Sequence, residues 1–155
     1  DTFLTGAAKR DDLQILGFLL DKGCDPNIIN NQGNSALLVA TFKCNIGAVD
    51  SLLKHNANPN VNEKYRLHPL VLSLINPDSE NGKIIFEKLL DAGADIDSKD
   101  AKGVNPLLYF VDKRKPELVT LLLEEGADPD VKDKNKYSKQ DISYDYKPRC
   151  GRKYS

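Results

Sequence analysis

The stretch that decides the fold is LLEEGADPD at residues 122–130, because three close copies of it occur earlier in the chain. The copies read LLDKGCDPN at residues 19–27, LLKHNANPN at residues 52–60 and LLDAGADID at residues 89–97. Their first leucines lie 33, 37 and 33 residues apart along the sequence. A regular period of about 20–50 residues predicts a stack of repeated structural units rather than one closed core.

A second motif follows each of these segments after about ten residues. It reads GNSAL at residues 33–37, RLHPL at 66–70, GVNPL at 103–107 and, in degraded form, KYSKQ at 136–140. Pro69 and Pro106 suit the first turn of a helix, where a missing N–H group leaves no bond unmade. The residue before the helix should cap it, and this position holds Thr2, Ser35, His68 and Asn105. The second motif therefore predicts the start of a helix.

The first motif predicts the end of another helix. Leucines precede it at helical spacing, as in Leu13, Leu16, Leu19 and Leu20. Glycine or asparagine then follows at the position where a left-handed residue closes a helix: Gly23, Asn56, Gly93 and Gly126. One such helix pair cannot bury its apolar face alone, so neighbouring pairs must stack.

With both motifs in phase, the chain resembles the ankyrin-repeat family over about residues 1–143. The resemblance implies an all-α solenoid of helix-turn-helix units with β-hairpin fingers. The repeats cover approximately residues 1–32, 33–65, 66–102 and 103–135, with a degraded polar capping repeat at 136–143. A basic, tyrosine-rich tail or linker follows at residues 144–155.

Two features depart from the family pattern. The histidine of the family's T-P-L-H motif is replaced in every repeat, by Thr5, Leu38, Val71 and Leu108. The third repeat also needs four extra residues, which fit best at residues 77–80. Pro77 halts a helix, so we expect these four residues to lengthen the loop between the two helices.

Composition bounds the function. The chain has 22 Lys and Arg residues against 23 Asp and Glu residues, and no apolar run approaches the length of a membrane span. Its three cysteines are an odd number without a Cys-x-x-Cys pair, and the sequence has neither an Asn-x-Ser/Thr sequon nor a signal-peptide pattern. These features favour an intracellular location, cytoplasmic or nuclear. Neither His55 nor His68 has Cys, Asp or Glu neighbours at metal-ligand spacing. We therefore expect no enzyme activity, metal site or cofactor.

The resemblance implies a partner on the concave face, which the fingers and the first helices of the repeats form. Basic residues outnumber acidic ones at the positions that map there, and four apolar residues lie among them. Exposed apolar anchors beside a positive surface are typical of a binding hot spot for an acidic segment. The candidate partner-binding residues are Ile29, Phe42, Lys43, Lys64, Tyr65, Arg66, Ile75, Lys99, Lys102, Lys113, Arg114 and Lys132.

The leading hypothesis is a protein-protein interaction module that binds another protein or peptide segment. An alternative is an in-cis regulatory domain that covers another domain of the same chain. Binding of nucleic acid or anionic lipid ranks below both, because few aromatic residues lie among the basic ones. Asn27 is a candidate for hydroxylation, since residues 19–27 match the pattern L-x5-D-x-N that is hydroxylated in some members of the family. Alternatively, Asn27 holds its hairpin through local hydrogen bonds.

Overall fold

A computed structural model describes residues 2–60, 68–75, 80–100 and 103–130. The described part consists of four helix pairs and contains no β-strand. The helices are α1 (Phe3–Arg10), α2 (Leu13–Asp21), α3 (Ala36–Phe42), α4 (Ile46–Lys54), α5 (Pro69–Leu74), α6 (Glu80–Asp91), α7 (Pro106–Asp112) and α8 (Pro116–Glu124). The predicted capping repeat at 136–143 and the tail at 144–155 lie outside the described residues.

The pairs stack into two layers of helices. In the inner layer α3 packs between α1 and α5, and α5 also packs against α7. In the outer layer α4 packs between α2 and α6. Within each pair, the first helix packs against the second. The predicted all-α solenoid of helix pairs is confirmed.

The core lies between the two layers and continues from one repeat to the next. Equivalent positions of the second helices, Leu16, Val49, Phe86 and Val119, are all buried. Leu37, Leu70 and Leu107 are equally buried in the inner layer. Leu13, however, is 44% exposed and does not belong to the core. Helical spacing predicts Leu13 in the core, but it is the first residue of α2. Its side chain lies against Gly47 of the next repeat, in the space that a side chain at residue 47 would need.

Each first helix begins at the predicted cap. Ser35 and Asn105 accept hydrogen bonds from the backbone N–H groups three residues further on, at 3.1 and 2.8 Å. Thr2 forms a reciprocal capping box with Thr5. Thr5 stands at one of the positions where the histidine of the T-P-L-H motif is missing. Its hydroxyl accepts a hydrogen bond from Thr2 N at 2.9 Å, so this position still makes a local hydrogen bond.

Each second helix ends in a left-handed residue, as predicted. Gly23, Gly93 and Gly126 have φ angles of 84°, 87° and 94°, and Asn56 has a φ of 62°. The following N–H group returns to a carbonyl of the last helical turn, as Ala57 N does to Leu52 O at 3.0 Å. The chain thereby leaves every second helix in the same direction, which keeps the repeats in register.

The third repeat corrects one expectation. The insertion at residues 77–80 predicts a lengthened loop, but Glu80 is the first residue of α6. This helix has 12 residues, whereas α2, α4 and α8 have nine each. Most of the extra length therefore forms one more helical turn, which an acidic residue stabilises at the N-terminus of a helix. Residues 76–79 lie outside the described part.

The described finger segments turn tightly. Gly33 N donates to Asn30 O at 2.8 Å, and Asn30 N donates to Asn34 O at 2.9 Å. Asp100, Gly103 and Val104 repeat this arrangement 70 residues later. Both turns place a glycine at positive φ, 76° for Gly33 and 80° for Gly103. These two fingers are thus hairpin-like turns closed by backbone hydrogen bonds.

Asparagine side chains connect successive repeats. The Asn27 amide donates to Asn56 O at 3.3 Å, and its carbonyl accepts from Asn58 N at 2.7 Å. Asn60 makes the same pair of bonds with Gly93 O and Asp95 N in the next repeat. We call this pair of bonds the inter-repeat bracket. The hydrogen bonds expected to be local to one hairpin therefore cross to the following repeat.

The third bracket is incomplete. Asp97 accepts from Asp128 N at 3.0 Å, but its carboxylate has no donor for Gly126 O. We predict that Asp97→Asn supplies this donor and raises the free energy of unfolding by about 0.5 kcal/mol or more. Asn27→Asp is the reciprocal control, since it removes the donor at the first junction and should lower the same quantity. Urea denaturation measures the free energy of unfolding of both variants. A lower value for Asp97→Asn than for the wild type would contradict the stabilising role of the bracket.

His68 is the one N-cap among the four first helices that can titrate. Its Nδ1 accepts from Leu70 N at 3.4 Å, and its Nε2 is buried without a partner in the described residues. Burial lowers the pKa of His68 below its ordinary value of 6.5, and the charge of Asp95 opposes this shift in part. The folded protein thus favours the neutral ring, which can accept the cap bond.

This shift predicts a loss of stability in acid. As the pH falls below about 6.5, the unfolded chain takes up a proton on His68 more readily than the folded chain does. The free energy of unfolding should therefore fall more steeply between pH 7.5 and pH 5 in the wild type than in His68→Asn, whose cap does not titrate. Urea denaturation at the two pH values tests this. Equal pH dependence in both proteins would exclude His68 as the cause.

Candidate interaction surface

The inner helices end in a row of exposed side chains. Phe42 is the last residue of α3 and is 69% exposed, and Ile75 follows α5 and is 44% exposed. Lys9 in α1 and Asp112 in α7 occupy the equivalent positions and are also exposed. Because α3 packs against both α1 and α5, the structure brings Phe42 and Ile75 onto neighbouring helix ends.

A shared turn holds these helix ends in place. Asp11, Cys44 and Arg114 stand at equivalent positions, with left-handed φ angles of 61°, 53° and 52°. The next N–H group returns to the inner helix, as Asn45 N does to Ala40 O at 3.0 Å. A left-handed residue other than glycine is uncommon. Its recurrence in three repeats shows that the ends of the first helices are built alike.

Basic side chains surround the two apolar ones. Lys43 caps α3 beside Phe42, and Lys113 and Arg114 follow α7; all three are exposed. The Lys113 ammonium lies 5.6 Å from the centre of the Tyr109 ring, a distance typical of a cation-π contact. The row therefore joins exposed apolar side chains to positive charge.

The predicted finger residues are exposed as well. Ile29 is 51% exposed just before the turn that begins at Asn30, and Lys99 is exposed at the equivalent place before Asp100. The neighbouring Ile28 is also exposed, and the sequence prediction omitted it. Five predicted residues lie outside the described part: Lys64, Tyr65, Arg66, Lys102 and Lys132.

The structure adds residues that the sequence prediction missed. Val39, Leu72 and Tyr109 are half-buried, each three residues before the helix-end position. Residues three apart share one face of a helix, so these side chains extend the apolar row along the inner helices. The same spacing was present in the sequence and could have identified them once Phe42 and Ile75 had been chosen.

Asn27 is exposed, but both ends of its amide take part in the inter-repeat bracket. Its hydroxylation stays a prediction that no contact in the structure tests. The bracket supports a structural role for this side chain, since it links the first repeat to the second.

Three further features of the described residues concern metal binding, a groove and membrane crossing. In the described ranges, no group of three or more His, Cys, Asp and Glu side chains could hold a metal ion. An open groove of about 470 Å³ lies between the outer helices, where Lys83, Leu121 and Glu124 are among its lining residues. None of the described helices is long and apolar enough to cross a membrane.

Comparison with known proteins places the repeats in a family. A family model described as ankyrin repeats (3 copies) matches residues 1–63, and one described as ankyrin repeat matches residues 102–134. Among curated proteins, a putative ankyrin repeat protein FPV034 of fowlpox virus (strain NVSL) is 33% identical over 87% of this chain and 30% of its own length.

Two other relatives carry different names. An L-asparaginase of Dirofilaria immitis is 26% identical over 79% of this chain, and an inactive serine/threonine-protein kinase TEX14 of Mus musculus is 32% identical over 64% of it. The matches cover 26% and 7% of those two proteins. The chain thus spans a third or less of the length of each relative described here.

Ankyrin repeats are generally protein-protein interaction modules, and the family is typically non-enzymatic. The two family models together match more than half of the residues, at positions where the structure forms stacked helix pairs. The chain belongs to the ankyrin-repeat family.

Proposed function

We propose that the chain is an interaction module for an acidic peptide segment with hydrophobic anchors. Its binding face consists of Phe42, Lys43, Ile75, Lys113 and Arg114 at the inner helix ends, with Ile29 and Lys99 on the fingers. The sequence pattern adds five further residues to the proposed face: Lys64, Tyr65, Arg66, Lys102 and Lys132.

The exposure of Phe42 and Ile75 on adjacent helix ends carries this proposal. Covering a large apolar side chain is favourable by about 1.5–3 kcal/mol when burial is complete. Two neighbouring apolar side chains of this size can therefore supply much of the affinity for one ligand. Hot spots commonly consist of a few such side chains surrounded by polar ones.

The spacing of the inner helices restricts the shape of the ligand. Packed helices lie about 8–10 Å apart, so Phe42 and Ile75 should contact anchors separated by a similar distance. A polyproline II segment spans about 9 Å in three residues, which is one full turn, and a helix spans about 10 Å in seven. Anchors three apart in a polyproline II segment, or seven apart in a helix, point to the same side and therefore fit this face.

The charges favour an acidic ligand. Lys9, Arg10, Lys43, Lys113 and Arg114 are exposed along the helix ends. Asp11 and Asp112 are the acidic side chains at equivalent positions of that row, against these five basic ones. A positive surface of this kind accelerates association with a negative partner and penalises a positive one.

A second candidate is an in-cis regulatory domain. The relatives described above are at least about three times as long as the stretch they share with this chain. A module within a longer protein can bind a segment of the same polypeptide at high effective concentration. The same binding face would serve, with the acidic segment elsewhere in that protein.

The proposal predicts a specific loss of binding. A library of random 16-residue peptides, selected on the 155-residue chain, should yield ligands that combine acidic residues with apolar anchors. Phe42→Ala and Ile75→Ala should each weaken the best such peptide by about 1–3 kcal/mol, since each removes an anchor contact. Isothermal titration calorimetry measures the dissociation constants.

Phe18→Ala is the matched control, because Phe18 is 61% exposed but lies on the outer helix α2. It should leave the affinity unchanged. Affinity for the selected peptide should also fall as the salt concentration rises. If Phe18→Ala weakens the peptide while Phe42→Ala and Ile75→Ala do not, the binding face lies elsewhere. Selection of basic peptides would contradict the charge argument.

A further inference from the structure

The junction between the third and fourth repeats differs from the two junctions before it. In the outer layer of the described helices, α2 packs against α4 and α4 against α6, but α8 makes no comparable contact with α6. An open groove of about 470 Å³ separates these two helices instead. In the inner layer α7 still packs against α5. The third junction is therefore closed on the inner side of the array and open on the outer side.

The apolar contact that joins the outer helices at the first junction is replaced at the third. Leu13 of α2 lies against Gly47 of α4 at the first junction. Lys83 and Glu117 occupy the equivalent positions of α6 and α8, and both side chains are exposed and line the groove. Charged side chains retain their hydration, so they do not draw two helices together as an apolar contact does.

Polar contacts also join the outer helices at the first two junctions. His55 Nε2 lies 3.2 Å from a carboxylate oxygen of Asp21 at the first junction. Lys88 Nζ lies 2.8 Å from a carboxylate oxygen of Asp50 at the second junction. Exposed contacts of this kind add little stability each, but both of them favour the stacked arrangement of the repeats.

The equivalent positions at the third junction cannot form either polar contact. Asp91 and Glu125 replace the aspartate and the histidine of the first junction, and like charges repel each other. Glu87 and Leu121 replace the aspartate and the lysine of the second junction, so the position of the lysine holds no cation. The three acidic side chains are exposed. Charge therefore opposes the close approach of α6 and α8.

The inter-repeat bracket is incomplete at the same junction. Asn27 and Asn60 each make two hydrogen bonds, across the first and the second junction. Asp97 accepts from Asp128 N at 3.0 Å, but its carboxylate has no donor for Gly126 O. The stability of a repeat array is approximately the sum of the stabilities of its repeats and of the junctions between neighbours. The third junction should therefore open more easily than the first two.

We propose that the third junction is a hinge, at which α7 and α8 open together as one unit while the first three repeats stay stacked. The groove between α6 and α8 is the side from which the hinge opens, and the contact of α7 with α5 separates last. The helices α7 and α8 move together because they pack closely on each other. The hinge does not depend on the proposed binding face, although its opening moves Lys113 and Arg114 of that face away from Ile75.

Native-state hydrogen exchange of the 155-residue chain, followed by NMR at single amides, tests the hinge. After correction for intrinsic exchange rates, the most protected amides of α7 and α8 should share one protection factor. It should be at least about tenfold lower than the protection factors of α3, α4 and α6. A shared value indicates that the two helices open together, since independent fraying gives each helix its own value.

A variant that completes the third junction should close the hinge. Asp97→Asn supplies the missing hydrogen-bond donor, and Glu125→Lys provides a cation for Asp91. Together these two substitutions should slow exchange in α7 and α8 at least about fivefold. Glu125→Gln in place of Glu125→Lys removes the repulsion without adding an attraction, so the slowing should be smaller.

Asn27→Asp is the matched control, because it removes the same bracket donor at the first junction. It should speed exchange in α1 and α2 and leave exchange in α7 and α8 unchanged. Circular dichroism checks that every variant keeps the helix content of the wild type.

Three results would overturn the proposal. The first is one protection factor shared by all the helices from α3 to α8, which would mean that the fourth repeat opens only with the others. The second is a different protection factor for α7 than for α8, which would mean that the two helices fray separately. The third is fast exchange in α7 and α8 that Asp97→Asn with Glu125→Lys does not slow, which would place its cause outside the junction with the third repeat.

Discussion

The stacking of one helix pair on the next is the interaction on which the rest of this structure depends. No pair encloses an apolar core by itself, and the buried side chains of the second helices lie where two layers and successive repeats meet. Stability is therefore distributed over the junctions between repeats. Surfaces away from the junctions are free to vary without disturbing the core.

This constraint explains why the proposed binding face can be apolar. Phe42 and Ile75 stand at the ends of inner helices, at positions that remain exposed although the described helix pairs stack closely, so their exposure follows from their place in the stack. The left-handed turns after α1, α3 and α7 then hold the helix ends in the same orientation. Helix ends that are already held in one orientation would lose little conformational freedom on binding a ligand.

Much of the fold could be predicted from the sequence because its signals are local. The caps at Ser35 and Asn105 and the left-handed Gly23 and Asn56 depend on neighbouring residues alone.

The extra turn of α6 was missed because a four-residue insertion fits a helix or a loop equally well. The reach of Asn27 into the next repeat depends on the distance between stacked repeats, which no local pattern reveals. The exposed helix-end residues were predicted from their place in the repeat, whereas the half-buried Val39, Leu72 and Tyr109 were not considered.

The central functional claim is that ligands bind at the ends of the inner helices. Hydrogen-deuterium exchange of the chain with and without a selected acidic peptide tests it most directly. Binding at the inner helix ends predicts slower exchange at the C-terminal ends of α3 and α5 and in the turn at residues 43–45, with α2 and α4 unchanged. Protection confined to the outer helices α2, α4 and α6 would contradict it.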